Sequence, residues 1–134
     1  MNNIQFATAL HILTLLAMTD DNVSSAYIAG SIGINPAMVR KSLSTLSNHG
    51  LVITREGKGG GASLAKPAGK ILLSDIYRSV NTAPLLGKAN RTNPDCRVGK
   101  QINQHLYNLY SQADNALVKQ LTTVTLADFC NQFD

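Results

Sequence analysis

A mainly α-helical fold with one small β-hairpin follows from three features of the sequence. Apolar residues recur at helical spacing in three stretches before residue 50. Two short β-prone runs, Leu51–Arg55 and Ala62–Ala65, bracket a glycine-rich tip. A long apolar seam then runs from Val98 to Leu121.

The first helix is expected from Asn2 to Thr19, with Ile4, Ala7, Leu10, Leu13 and Ala17 as its stripe and Phe6, Leu16 and Met18 widening it. Asp20-Asp21-Asn22 has the composition of a turn. Ser24 is a good N-cap for a short second helix holding Ala26, Ile28, Ala29 and Ile32, which Gly33 ends. Asn35 followed by Pro36 opens a third helix through Val39, Leu43 and Leu46, stopped at Gly50. Two helices joined by a short glycine-containing turn form a helix-turn-helix. The hairpin follows at once, with Glu56-Gly57-Lys58-Gly59-Gly60-Gly61 as its tip. That order of elements defines a winged helix-turn-helix.

Beyond Pro67 and Gly69, Ser74 and Asp75 are read as caps of a helix containing Ile76, Tyr77 and Val80. Residues 81–95 carry prolines, asparagines and Gly87, and read as irregular chain. From Val98 the helical period returns through Ile102, Leu106, Leu109, Ala113, Leu117 and Leu121, opposite a face of Lys100, Gln101, Asn103, Gln104, Asn108, Gln112 and Asn115. A helix with such a seam needs a second helix to pack on, so Val98, Ile102, Leu106, Leu109, Ala113 and Leu117 are the expected dimer interface. The domain reading is a winged DNA-binding domain at 1–80, a connecting loop at 81–97, and a dimerisation helix with a small C-terminal element at 98–134.

Composition bounds the function. The 134 residues are 44% hydrophobic with a net charge of +4, enough apolar content for a real core. Residues 1–22 hold Asp20 and Asp21 and no Lys or Arg. Residues 23–70 hold Arg40, Lys41, Arg55, Lys58, Lys66 and Lys70 against Glu56, a net of +5. Positive charge thus gathers where the helix-turn-helix signals lie, which points to an anionic partner. Two cysteines are too few for a disulfide framework, and no C-x-x-C pair offers zinc ligands. No signal peptide is evident, no run reaches the ~18 apolar residues of a membrane span, and a cytoplasmic protein is expected. G-x-S-x-G and H-E-x-x-H are absent and the carboxylates are scattered, so no enzyme is expected.

Candidate site residues follow from the fold. Asn35, Ala37, Met38, Arg40 and Lys41 should face outward at the start of the third helix, where helix-turn-helix proteins meet base edges. Arg40 has the fork geometry to bind guanine O6 and N7; the plain alternative is a pair of ordinary surface cations. Gly57 and Gly59, with Lys58 and Arg55, suit close approach to phosphate; the alternative is a tight turn without a partner. A nucleotide-binding loop fails, because G-x-x-x-x-G-K-[ST] is missing and no helix follows the glycines. Ser24, Ser25 and Tyr27, at the start of the second helix, are further phosphate contacts. Cys96 lies near Arg97 and Lys100, ahead of the long helix, and is a candidate redox sensor or simply an unreactive thiol. Cys130, among Leu126, Phe129 and Phe133, reads as core. His11, His49 and His105 have no partner ligand in spacing, and no metal site is expected.

Several motifs follow one another in a familiar order. They are Phe6-Ala7, Ile28-Ala29, Gly33-Ile34, Leu46 with Gly50-Leu51-Val52, the Gly57-x-Gly59-Gly60-Gly61 wing, Leu64-Ala65-x-Pro67 and Ile71-x-Leu73-x-Asp75-Ile76. Together they resemble the Rrf-two family of bacterial regulators, the IscR, NsrR and CymR type, over residues 1 to about 80. The resemblance implies a homodimer whose long helices cross between subunits, with two wings and two recognition helices on a pseudo-palindromic operator. Iron–sulfur members place three cysteines between the winged domain and the long helix; this chain has Cys96 there, so it resembles the cluster-free branch and no cofactor is expected. Glu56 stands where many members have the arginine before the first wing glycine, which makes Lys58 the candidate phosphate contact.

The expected function is a sequence-specific DNA-binding transcriptional regulator, acting as a homodimeric repressor. Ser24, Ser25, Tyr27 and Lys58 would grip phosphate, and Asn35, Ala37, Arg40 and Lys41 would read the groove. A redox signal at Cys96, a small effector or a protein partner would set its activity. The alternative is a protein-interaction adaptor built on a winged helix without DNA binding. An enzyme using Cys96 as nucleophile lacks any histidine placed to activate it.

Overall fold

The computed structural model describes residues 4–81 and 83–134. Three helices, α1 (Gln5–Ala17), α2 (Ser25–Ile32) and α3 (Pro36–Asn48), precede an antiparallel hairpin of β1 (Val52–Arg55) and β2 (Gly61–Leu64). Three more follow: α4 (Leu73–Val80), the long α5 (Ile102–Leu121) and the short α6 (Leu126–Cys130). The mainly helical winged helix-turn-helix read from the sequence is the fold observed. The expected start of α1 at Asn2, and Thr82 in the expected loop, lie outside the described residues.

The face of α1 that reaches the core overlaps the expected stripe at Leu13 and Leu16, with Phe6, Leu10 and Ala17 packed at its edge, but is centred on Ala9 and Ile12. Ala9, Ile12, Leu13 and Leu16 are buried, whereas Ile4, Ala7 and Met18 are exposed. The helix is apolar on most sides and touches α2, α3, α4, α6 and β2. Periodicity cannot choose one stripe on such a helix; its neighbours do.

Local capping explains α2 and α3. The Ser24 hydroxyl accepts the Tyr27 N–H at 3.1 Å, and Gly33, at φ +80°, ends α2 by donating to the Ala29 carbonyl at 2.8 Å. Asn35 Oδ1 accepts the Ala37 N–H at 2.7 Å, with Pro36 in the first helical position. Val39, Leu43 and Leu46 then turn inward onto a core that includes Ile12, Ile28, Leu51 and Ile76.

The wing pairs Val52 with Leu64 through to Arg55 with Gly61. Strand β2 gains a second partner that the sequence reading missed. Val23 and Ala62 exchange both backbone hydrogen bonds at 2.9 Å, so the residue just before the α2 cap extends the sheet. Gly61 makes this approach possible, because at φ +140° a Cβ there would lie 2.4 Å from the Val23 carbonyl oxygen.

Two expected boundaries are corrected. Ser74 does not cap α4: it lies inside the helix, 0% exposed, while Asp75 Oδ2 accepts the Leu72 N–H at 2.9 Å. The helix begins at Leu73, ahead of the Ser-Asp pair, because the chain is already tied to the C-terminal element by an antiparallel bridge between Leu72 and Thr125. Leu73 donates to Val124 at 2.9 Å and Leu126 donates to Ile71 at 2.8 Å. Val98 likewise precedes α5, in hydrogen-bonded turns covering 97–101. Gly99 belongs to those turns, where a Cβ would meet the Asn93 carbonyl oxygen at 2.7 Å.

The C-terminal element is built into the main core. Leu126 is fully buried with Ile71 and Ile76, and α6 packs on α1. Thr125 and Asp128 cap α6 reciprocally, each side chain accepting the other's backbone N–H at 3.0 Å. By contrast, α5 contacts α4 and contains no buried residue.

Candidate nucleic-acid interface

The start of α3 presents its polar and charged side chains to solvent. Asn35, Ala37, Met38, Arg40 and Lys41 are exposed, and the buried Val39 between them fixes the rotation of the helix. Arg40 lies at the exposed surface, outside the clefts beside α3 and the wing. Lys41 and Met38 also border a cleft shared with α1 and α4.

The start of α2 and the wing tip come together. Ser24, Tyr27, Gly59 and Gly60 line one shallow cleft, and Tyr27 is 63% exposed. Ser25 is half-buried. The Ser24 oxygen accepts from Tyr27, which leaves its hydroxyl hydrogen for a phosphate. Arg55, Gly57, Lys58 and Gly59 are all exposed at the tip, with Gly57 at φ +85° and Gly59 at φ +77°. Gly60 donates to the Gly57 carbonyl at 3.0 Å and closes the turn.

Two features of this surface were not read from the sequence. Asn22 Nδ2 donates to the Gly59 carbonyl at 3.3 Å and tethers the tip to the turn before α2. Asp20 and Asp21 stand beside the wing, lining a groove of about 530 Å³ with Arg55, Glu56 and Lys58. The acidic pair is remote from the wing along the chain but adjacent to it in space. The wing is therefore of mixed charge, and the two adjacent cations of α3 are its counterpart without a neighbouring acid in the sequence.

The expected dimer seam is uncovered. Leu109 is 51% exposed, Val98 64% and Ile102 37%, and Leu106, Ala113 and Leu117 are half-buried. Tyr107 is exposed as well. Exposed Ile102 and Leu109, with half-buried Leu106 and Leu117 along the same helix, form an apolar surface that water disfavours.

Cys96 is exposed, and the turns from Arg97 to Gln101 separate it in the chain from the first residue of α5. Cys130 packs against the core, and burial pushes its thiol pKa up. His11 Nε2 shares a hydrogen bond with the Ser31 hydroxyl at 3.0 Å, and His49 Nδ1 lies 2.9 Å from the Thr45 carbonyl. His105 is exposed on α5.

Comparison with known proteins agrees with this arrangement. The model of the Rrf2 family, described as an iron-dependent transcriptional regulator, matches residues 3–132. YwnA of Bacillus subtilis (strain 168), described as an HTH-type transcriptional regulator, is 36% identical over 132 residues, covering 98% of each chain. A crystal structure described as that of a DNA-binding protein is 33% identical with a TM-score of 0.75, covering 93% of this chain and 97% of the other. CymR, the global cysteine regulator of B. subtilis, shares the fold with a TM-score of 0.72 at 22% identity, over 100% of this chain and 98% of its own.

The iron in the family's description does not fit this donor set. Cys96 and Cys130 are the chain's two cysteines, one in an exposed turn and one on the core-packed α6. Among the described residues no group of three His, Cys, Asp or Glu comes together. The match along nearly the whole chain, with the winged helix-turn-helix that carries it, makes this protein a member of the Rrf2 family of transcriptional regulators, a family of regulators and not of enzymes.

Proposed function

We propose that the chain works as a cytoplasmic homodimer that occupies a pseudo-palindromic duplex site and represses transcription from it. The observation that carries this reading is α5, a 20-residue helix with an apolar seam and no buried residue. Pairing two such helices covers both seams and sets two winged domains at a fixed separation, about one turn of duplex or ~34 Å. Each winged domain then offers Asn35, Ala37, Arg40 and Lys41 to the major groove, while Ser24, Ser25, Tyr27 and Lys58 hold phosphate. Arg55, Met38, Gly57 and Gly59 complete the contact surface. Among the described residues no helix is long and apolar enough to cross a membrane. Exposed Cys96 and a small effector are the routes by which a signal would reach the dimer.

Selection of genomic fragments by the purified protein, followed by mobility shift, tests the proposal. Arg40→Ala is expected to lose about 1–3 kcal/mol on the selected site while sparing scrambled duplex. Lys58→Ala is expected to weaken both equally and reduce the salt slope by about 0.9 per site. Equal losses on specific and scrambled duplex for Arg40→Ala would refute its reading role. An adaptor without DNA binding would leave every fragment unshifted.

A further inference from the structure

The third helix borders a cleft that shares Met38 and Lys41 with the duplex contacts above and otherwise lies outside them. It opens to about 190 Å³ between the start of α1, the outer side of α3 and the end of α4. Ile4, Met38 and Val80 give it an apolar wall, and Lys41 is the one charged side chain among its described lining residues. Its hydroxyls are unequal. Thr45 donates to the Lys41 carbonyl and Ser79 to that of Ile76, both within their own helices. Thr8 and Ser42 also line the cleft.

Size and chemistry together narrow the occupant. An apolar cavity of ~150 Å³ takes up benzene, so this one suits a compact ring or branched chain of about eight to ten non-hydrogen atoms. A wall of three apolar residues facing a single lysine disfavours a phosphate or a dianion, which would leave charge unpaired. It fits an anion with one charge and an apolar body.

We propose that this cleft binds a small organic monocarboxylate, its body against Ile4, Met38 and Val80 and its carboxylate on the Lys41 ammonium beside the Thr8 and Ser42 hydroxyls. The consequence for regulation rests on the function proposed above, because Lys41 is also counted among the residues that face the duplex. A carboxylate on Lys41 neutralises one cation per chain at the DNA surface and draws its flexible stem toward α1 and α4. Ligand and duplex then compete, and each weakens the other by the same factor. The site would thus make the regulator responsive to the level of a small aromatic or branched-chain acid.

The test uses the full chain, isotope-labelled, titrated with benzoate and, separately, with its uncharged counterpart benzamide. Benzoate is expected to give saturable amide shifts at Thr8, Ser42 and Val80. Benzamide, and benzoate on Lys41→Met, are expected to bind about tenfold or more weakly, the value of a charge-assisted contact. Thr8→Leu, which fills the cleft and leaves Lys41 in place, should abolish the shifts without lowering the thermal midpoint. Absence of saturable shifts at these residues, equal binding of benzamide, or indifference to Lys41→Met would each overturn the site. Saturable benzoate binding with unchanged duplex affinity would overturn its regulatory role. Failure to bind any duplex would remove the proposed function and leave the titration to judge the cleft on its own.

Discussion

Ser74 shows how much a single position can turn on its neighbours. In sequence, Ser74-Asp75 offers two side chains equally able to cap a helix, and an alanine at a true cap costs about 1 kcal/mol. In the fold, Ser74 is fully buried and its Oγ has no hydrogen-bond partner among the described residues. Ser74→Ala is therefore expected to be neutral or to stabilise by up to ~1 kcal/mol, whereas Asp75→Ala, which frees the Leu72 N–H, should cost about 1 kcal/mol. Urea unfolding of the two variants decides between the roles by sign alone. Nothing in the local sequence could have revealed this, since the register of α4 is set by Leu73 pairing with Val124, some fifty residues later. The cysteines give a second test at this scale. Cys130 has its thiol pKa raised by burial above the ordinary 9.0, so the unfolded chain ionises first as pH rises. Stability is thus whole below that value and declines above it, with the buried Tyr77 hydroxyl acting in the same direction at higher pH. Cys130→Ala should flatten the first part of that decline in unfolding experiments across the alkaline range. Iodoacetamide should label the exposed Cys96 well before Cys130.

Among the elements, the wing and the long helix were legible for different reasons. The wing announces itself through two β-prone runs and a glycine cluster, but its attachment does not. Val23 lies between turn residues and a cap, and its pairing with Ala62 depends on the absence of a side chain at Gly61. Gly61→Ala should therefore act as a strong lesion, costing about 2–4 kcal/mol by forcing backbone apart, and hydrogen exchange should show it first at the Val23 and Ala62 amides. A comparable alanine at Gly69, where a Cβ meets nothing within 4 Å, should be tolerated. The seam of α5 was legible because four- and three-residue spacings persist over many turns. Its start was not, because Gly99 sits in a turn packed on Asn93 that no periodicity encodes. Leu109 stands half-exposed in the middle of that seam. Leu109→Asp is expected to leave α1–α4 folded, by circular dichroism, and to reduce the mass in light scattering from two chains to one.

At the scale of the whole molecule, charge along the chain and charge in space diverge. The sequence separates an acidic first segment from a basic second one, yet folding sets Asp20 and Asp21 beside Arg55 and Lys58. Residue order cannot foresee this, because the turn at 20–22 is brought to the wing by the Val23–Ala62 pairing and the Asn22 tether. The outward face of α3 was foreseen correctly, since the inward positions of Val39, Leu43 and Leu46 leave Arg40 and Lys41 no other direction. Binding of this kind requires a paired molecule in which two copies of α3 and the wing address one duplex. Hydroxyl-radical footprinting of a selected genomic site, with the stoichiometry of the same complex, tests this most directly. Two symmetric protected patches about 34 Å apart on one face of the duplex, with two chains bound, are expected. A single protected patch, or one chain per duplex, would contradict it.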